Sequence, residues 1–274
     1  MTMIMTLEST RFYLDREESG VDVWQFAGGV AAVFSRRHPF KATTNEDAAV
    51  LIPFKSDAGV IAIADGCGGM AGGEQASRLT VKQLAAKVQR SANSDASLRS
   101  GILDGIEQAN RKVRDLGTGA ASTLSAVEID NRVVRPYHVG DSTVLLTGSG
   151  GKIKLKTTAH SPVGYAVESG MLDESEAIHH KDRHYVSNVV GTADTHIEIG
   201  PKRTMAKRDT LLVGSDGLFD NLQVEEIVEI ARKGPIDHAA QHLVDIASER
   251  MNAKEADVPS KPDDLSIILF RLAG

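Results

Sequence analysis

Hydrophobic positions recur along this chain with two periods, and the two do not mix. β-prone runs at 48–54, 59–64, 121–129, 132–139, 143–148, 152–156, 194–200, 209–215 and 265–272 read as strands. The stretch 21–35 reads as a strand pair or one bulged strand around Gly28 and Gly29. Helical spacing appears where Val81, Leu84, Ala85 and Val88 fall at i, i+3, i+4, i+7 within 74–90. A second helix is expected over 95–116, with Leu98, Ile102, Ala109, Val113 and Leu116 on one stripe. Two more are expected at 223–233, stopped by Gly234-Pro235, and at 236–251, with a short helical piece at 173–177.

Strands fill the first half and the middle, while long helices come in pairs, after residue 65 and after residue 216. The strands of 121–156 follow one another without helices, which predicts an antiparallel meander with a tight turn at Asp130-Asn131. Such segregation predicts an α+β fold, a four-layer α-β-β-α sandwich in which one helix pair covers the outer face of each antiparallel sheet. Residues 1–20 are polar and irregular and read as a loose N-terminal arm or edge segment.

One stretch stands apart. The apolar run Ile61-Ala-Ile-Ala leads into Asp65 and a loop with five glycines in the eight residues 66–73. Glycines allow positive φ and close backbone approach, and Asp65 is presented at the end of a strand. Asp-Gly is also a common turn pair, so a single such acid is equally well a plain turn. The device recurs, however, at Gly140-Asp141 and at Ser215-Asp216, and it is inverted where Glu46-Asp47 and Asp263-Asp264 precede strands. Gathering Glu46, Asp47, Asp65, Asp141, Asp216 and Asp263 would cost several kcal/mol of mutual repulsion unless cations compensate. Oxygen-only ligands, without paired cysteines, point to Mg²⁺ or Mn²⁺ rather than structural Zn²⁺. Two such ions roughly 3.5–4 Å apart suit in-line displacement at phosphorus.

Composition narrows the alternatives. At 274 residues and 41% hydrophobic, with neither linker nor repeat, the chain reads as a single domain over 1–274 with its core at about 22–272. A net charge of −6 without a concentrated basic cluster argues against nucleic acid as a partner. A single cysteine, Cys67, forbids an internal disulfide and fits a reducing compartment. No signal peptide or bilayer-spanning run is recognisable, so a cytoplasmic protein away from membranes is expected, and a monomer.

The segments Asn45-Glu46-Asp47, Ala64-Asp65-Gly66-Cys67-Gly68-Gly69, Gly73-Glu-Gln-Ala-Ser77, Gly119-Ala-Ala-Ser-Thr123, His138-Val-Gly-Asp141-Ser142, Thr158-Ala-His160-Ser161, Ser215-Asp216-Gly217-Leu-Phe-Asp220 and Asp263-Asp264-Leu-Ser266 occur in one order. In these the chain resembles the bacterial-type, metal-dependent protein serine/threonine phosphatases of the type 2C (PPM) family, over about residues 22–272. The resemblance implies hydrolysis of phosphoserine and phosphothreonine through a hydroxide held by two Mn²⁺ or Mg²⁺ ions, with no phosphoenzyme. It implies that Asp65 bridges both ions, that the Gly66 carbonyl completes one site, and that Asp216 and Asp263 are the other direct ligands. Glu46 and Asp47 resemble acids that hold one ion directly or through water, and Asp141 the ligand of a weaker third ion. The implied partner is a phosphorylated protein, the substrate of a serine/threonine kinase.

Departures from the family pattern keep alternatives open. Where many relatives place a phosphate-gripping arginine this chain has Ala42, leaving Lys41 as the candidate phosphate contact, with Arg36 and Arg37 nearby. Asp264 stands where the family has Asn, and Cys67 where some relatives have a histidine that protonates the leaving group. His160 is either an assistant in that step or a structural residue. The alternatives are a weak pseudophosphatase that binds a phosphoprotein, or a phosphohydrolase acting on small molecules.

Overall fold

The computed structural model describes residues 4–17, 19–67, 72–94, 96–253 and 259–273. Two short strands, β1 (Ile4–Thr6) and β2 (Arg11–Leu14), precede the hairpin of β3 (Asp22–Phe26) and β4 (Gly29–Arg36), then that of β5 (Asp47–Lys55) and β6 (Ala58–Asp65). Helices α1 (Gly73–Ala92) and α2 (Leu98–Arg114) lead to β7 (Leu124–Asp130), β8 (Val133–Val139), β9 (Thr143–Thr147) and β10 (Ile153–Lys156). After the short helices α3 (Pro162–Glu168) and α4 (Glu174–Ala177) come β11 (Glu198–Ile199), β12 (Arg203–Thr204) and β13 (Thr210–Gly214). The chain closes with α5 (Asp216–Phe219), α6 (Val224–Ala231), α7 (Ile236–Asn252) and β14 (Leu265–Leu272).

The strands form two sheets, ordered β1-β3-β4-β14-β13-β9-β10 and β11-β8-β7-β6-β5-β2, with β12 also beside β8. Among the described residues the strand pairings are antiparallel except β1 on β3. The layering follows from alternation along each strand. In β5, Ala49 and Leu51 face the other sheet, where they meet Val213, Ile268 and Phe270, while Val50 and Ile52 face the helical layer of α1 and α2. In β14, Ile268 and Phe270 point between the sheets, and Ile267 and Leu269 meet Ile227 of α6 and Leu243 and Val244 of α7. Both faces of the central strands are therefore buried, which is why they read as apolar runs rather than as alternating ones. Each fully buried Leu or Ile contributes about 1.5–3 kcal/mol to holding the layers together. The four-layer α-β-β-α sandwich expected from the sequence is the observed architecture.

Several local expectations change. The meander over 121–156 is two hairpins in different sheets: β7-β8 lies in one, and β9-β10 in the other. The chain crosses between them at Gly140-Asp141-Ser142, where Gly140 has φ +107. Apolar periodicity carries no mark of which sheet a strand joins, so this crossover is invisible in pattern. The hairpin turn falls one residue later than expected, on Asn131 and Arg132, both with positive φ. The strand expected at 194–200 shrinks to β11, and α3 and α5 went unforeseen because neither is long enough to show a helical period. The segment before residue 20 supplies edge strands β1 and β2, one for each sheet.

Candidate active site

The strand ends that carry acids come together at one end of the sandwich. Asp47 opens β5 and Asp65 closes β6, and in the antiparallel register they are direct partners. Asp216 starts α5 immediately after β13, Asp263 and Asp264 lie just before β14, and Asp141 sits in the crossover from β8 to β9. The backbone of Asp65 is held on both sides by Thr123: its N–H donates to Thr123 Oγ1 (3.0 Å), and its carbonyl accepts the Thr123 N–H (2.8 Å). Thr123 Oγ1 in turn shares a 2.7 Å hydrogen bond with Ser142 Oγ, tying Asp65 to the crossover that carries Asp141. Ser142 thus shapes backbone.

Two glycines make this convergence possible. A Cβ at Gly66 would overlap the carbonyl of Gly73 at the start of α1, and one at Gly217 would overlap the carbonyl of Asp264. The second contact brings the Asp216 turn directly against the Asp263-Asp264 segment. Gly68, Gly69, Met70 and Ala71 of the glycine loop lie outside the described residues.

Burial and mutual repulsion raise the pKa of these carboxyls. Asp65 lies well above the usual carboxylate range, first through burial and then through the charges of Asp47, Asp216, Asp263 and Asp141. Asp47 is raised by burial and by Asp264, against hydrogen bonds from Ser215 and Ser266 that favour its charge. Asp141 is raised to about 7 by burial, Asp216 and Asp220, and Asp263 to about 7 by burial and Asp216. Asp47 is 1% exposed; its Oδ2 accepts from Ser215 Oγ (2.8 Å), while its Oδ1 has no hydrogen-bond partner among the described residues. A buried, unpartnered carboxylate oxygen among acids that repel one another is a donor set suited to a hard divalent cation.

The cations around the acids were less visible in sequence. Lys261 Nζ contacts Asp216 Oδ2 (2.6 Å), Asp220 Oδ2 (2.8 Å) and Asp263 Oδ2 (3.1 Å). Arg183 reaches Asp220 at 3.7 Å. The sequence signals Asp220 only through its i, i+4 spacing from Asp216 on a helical turn. Lys41 pairs with Glu46 and, at 3.0 Å, with Asp264 Oδ2. Asp264 is 4% exposed and also accepts the Glu46 N–H (2.6 Å) and the His38 N–H (2.7 Å). Arg37 is held by Glu17 and the Thr43 carbonyl, and Arg36 by Ser248. A cavity of about 300 Å³ opens beside the acids, lined by Asp141, Asp216, Asp220, Thr143, Lys156 and Arg183 among others.

His160 does not join the chemistry by geometry, and the surroundings of Cys67 oppose its ionisation. Burial pushes the Cys67 thiol up to about 12, reinforced by Asp141, Asp216 and Glu46, so it is held as a neutral thiol. His160 is fully buried, and its Nδ1 accepts from the Gly140 N–H (3.1 Å) and Asn188 Nδ2 (2.8 Å). That leaves the proton on Nε2, which donates to Glu198 Oε2 (3.0 Å). His138, His160 and Glu198 bring possible ligand atoms within 4.8 Å of one another, yet this tautomer leaves His160 without a lone pair to offer a metal. The cluster instead braces the Gly140 turn ahead of Asp141.

Paired antiparallel sheets between helix pairs, with acids converging where strands of both sheets end, define the class as an α-β-β-α sandwich hydrolase. The family model described as Protein phosphatase 2C matches residues 36–256. Protein phosphatase PhpP of Streptococcus pneumoniae is 29% identical over 219 residues, covering 76% of this chain and 87% of PhpP. Serine/threonine protein phosphatase PstP of Mycobacterium tuberculosis is 30% identical over 197 residues, 69% of this chain and 37% of PstP. The solved structure of the S. agalactiae serine/threonine phosphatase superposes with a TM-score of 0.75 at 27% identity, over 89% of this chain and 99% of that one. The chain belongs to the protein phosphatase 2C family and is a metal-dependent protein serine/threonine phosphatase. These relatives do not favour the pseudophosphatase or small-molecule readings.

Proposed function

We propose that the acids at the strand ends are the metal centre of this phosphatase and that its substrates are phosphoserine and phosphothreonine side chains on proteins phosphorylated by a serine/threonine kinase. The carrying observation is Asp65, buried and ringed by the charges of Asp47, Asp216, Asp263 and Asp141. In this reading Asp65, Asp216 and Asp263 with the Gly66 carbonyl hold two Mn²⁺ or Mg²⁺ ions, Glu46 and Asp47 assist, and Asp141 serves a weaker third. When bound, such ions activate water and offset the charge of the phosphoryl group in flight, which makes a protein nucleophile and a phosphoenzyme unnecessary.

The chain's own residues prepare that centre. Thr123 fixes the backbone of Asp65, Ser215 orients Asp47 by its hydroxyl, and the Gly217–Asp264 contact sets the spacing between Asp216 and Asp263. The cavity beside Asp141 and Asp216, with Lys156 and Arg183 in its wall, is where the phosphorylated side chain enters. Cys67, a neutral thiol, takes no part as nucleophile. We further infer a single domain over 1–274, monomeric and cytoplasmic; among the described residues no helix is long and apolar enough to cross a membrane.

The test is release of phosphate from a phosphothreonine peptide. Turnover is expected to require Mn²⁺ or Mg²⁺ and to stop in excess chelator, and Asp65→Asn and Asp216→Asn should each lose about 10²-fold or more in kcat while staying folded. Full turnover in chelator, or ordinary kcat in both variants, would overturn the assignment.

A further inference from the structure

Lys261 is a built feature rather than a surface lysine that happens to lie near acids. Asn221, fully buried after α5, accepts the Lys261 N–H on Oδ1 (2.8 Å) and donates from Nδ2 to the Lys261 carbonyl (2.8 Å) and the Gly217 carbonyl (2.9 Å). Both backbone polar groups of Lys261 are therefore pinned to the turn that carries Asp216 and Asp220, and Pro262 stiffens the chain that follows. From that root the ammonium reaches three carboxylates at 2.6, 2.8 and 3.1 Å, donating a hydrogen bond to Asp216. The side chain is 24% exposed, so these contacts are screened less than an ordinary surface pair. Burial by itself would lower the Lys261 pKa, but the charges of Asp216, Asp220 and Asp263 outweigh it, and the ammonium is held charged.

Two of the three partners, Asp216 and Asp263, are carboxylates assigned above to the metal centre, and the third, Asp220, is not. A divalent ion approaching Asp216 and Asp263 meets a positive charge already paired with their Oδ2 atoms. We propose that Lys261 is a tethered cation that competes with divalent metal for Asp216 and Asp263, giving them up and retreating to Asp220 when the ion binds, and so sets the metal affinity of that end of the site. The inference rests on the assignment of Asp216 and Asp263 as ligands. It accounts for a lysine clamped into an acid cluster: the lysine relieves carboxylate repulsion and, in doing so, makes the metal there exchangeable. Asp47, whose Oδ2 accepts from the Ser215 hydroxyl, has no ammonium or guanidinium paired with it among the described residues.

The experiment measures Mn²⁺ binding directly, without turnover. Full-length protein is stripped with chelator, dialysed, and titrated with Mn²⁺ by calorimetry, with free Mn²⁺ counted by electron paramagnetic resonance. Lys261→Gln and Lys261→Ser are expected to bind Mn²⁺ about tenfold or more tightly than wild type, the effect of removing one charge-assisted competitor. The stripped variants should also melt lower than stripped wild type and recover when Mn²⁺ is added. Lys261→Arg, which keeps the charge, should stay near wild type. Unchanged or weaker Mn²⁺ binding in both uncharged variants overturns the proposal, provided Asp216→Asn weakens binding. If Asp216→Asn binds Mn²⁺ as wild type does, the ligand assignment falls and this inference falls with it.

Discussion

Lys41 is the residue for which sequence and structure suggest different duties, and Lys41→Ala separates them. Its ammonium bridges Glu46 and Asp264, and the Asp264 side chain is only 5% exposed. Removing the lysine leaves Asp264 with two backbone donors, from His38 and Glu46, and no counter-charge. A fully buried pair broken in this way costs about 3–5 kcal/mol, and an exposed pair about 0–1 kcal/mol. Lys41 is 22% exposed, so the value expected lies between, at about 2 kcal/mol, the size of a hydrogen bond to a charged group. In a domain of this size that lowers Tm by about 3–4 °C, read by calorimetry on chelator-stripped protein. Asp264→Asn, which removes the charge needing compensation, should absorb about 1–2 kcal/mol of the loss in a double-mutant cycle. If Tm is unchanged and KM on a phosphopeptide rises roughly tenfold or more, Lys41 is free to grip the substrate phosphate and the ion-pair argument is wrong.

Stability of the stripped protein should fall as pH rises. Asp141 and Asp263 titrate near 7 in the folded chain against an ordinary 3.8, so between those values the folded state binds protons that the unfolded chain has released. Tm is therefore expected to be higher at about pH 6 than at about pH 8, and saturating Mn²⁺ should flatten the difference; a flat or reversed profile in chelator would refute the carboxylate repulsion. Gly217→Ala has to push α5 away from the Asp264 carbonyl, which should cost about 1–3 kcal/mol and weaken Mn²⁺ binding, checked by melting and titration.

What was legible depended on length and on locality. Leu265–Leu272 was bounded as expected because its buried centre, Ile267–Phe270, is a continuous apolar run. The helices α1 and α2 were legible because they are long enough to repeat their stripe against β5 and β6. The sheet switch at Gly140-Asp141-Ser142 was not legible, because Val134 and Leu146 are apolar alike whichever sheet their strands join. The four residues of α5 were hidden for want of a single helical repeat.

The site shows the same division between what is local and what the fold assembles. The acids proposed to hold the cations, Asp47, Asp65 and Asp216, sit where apolar strands begin or end, places with a rigid backbone, and that pairing is written in adjacent residues. The charges that balance them carry no such constraint. A lysine has four methylenes of reach, so Lys261 can serve Asp216 from 45 residues away and Lys41 can serve Asp264 from 223 away. Nor does the clamp that makes Lys261 specific lie beside it: Asn221 reaches it across 40 residues of chain. Reading Lys41 as a phosphate contact came from its place next to Ala42, a local argument. The structure sets beside it a non-local one, in which the acid at position 264 and the lysine at 41 form a pair.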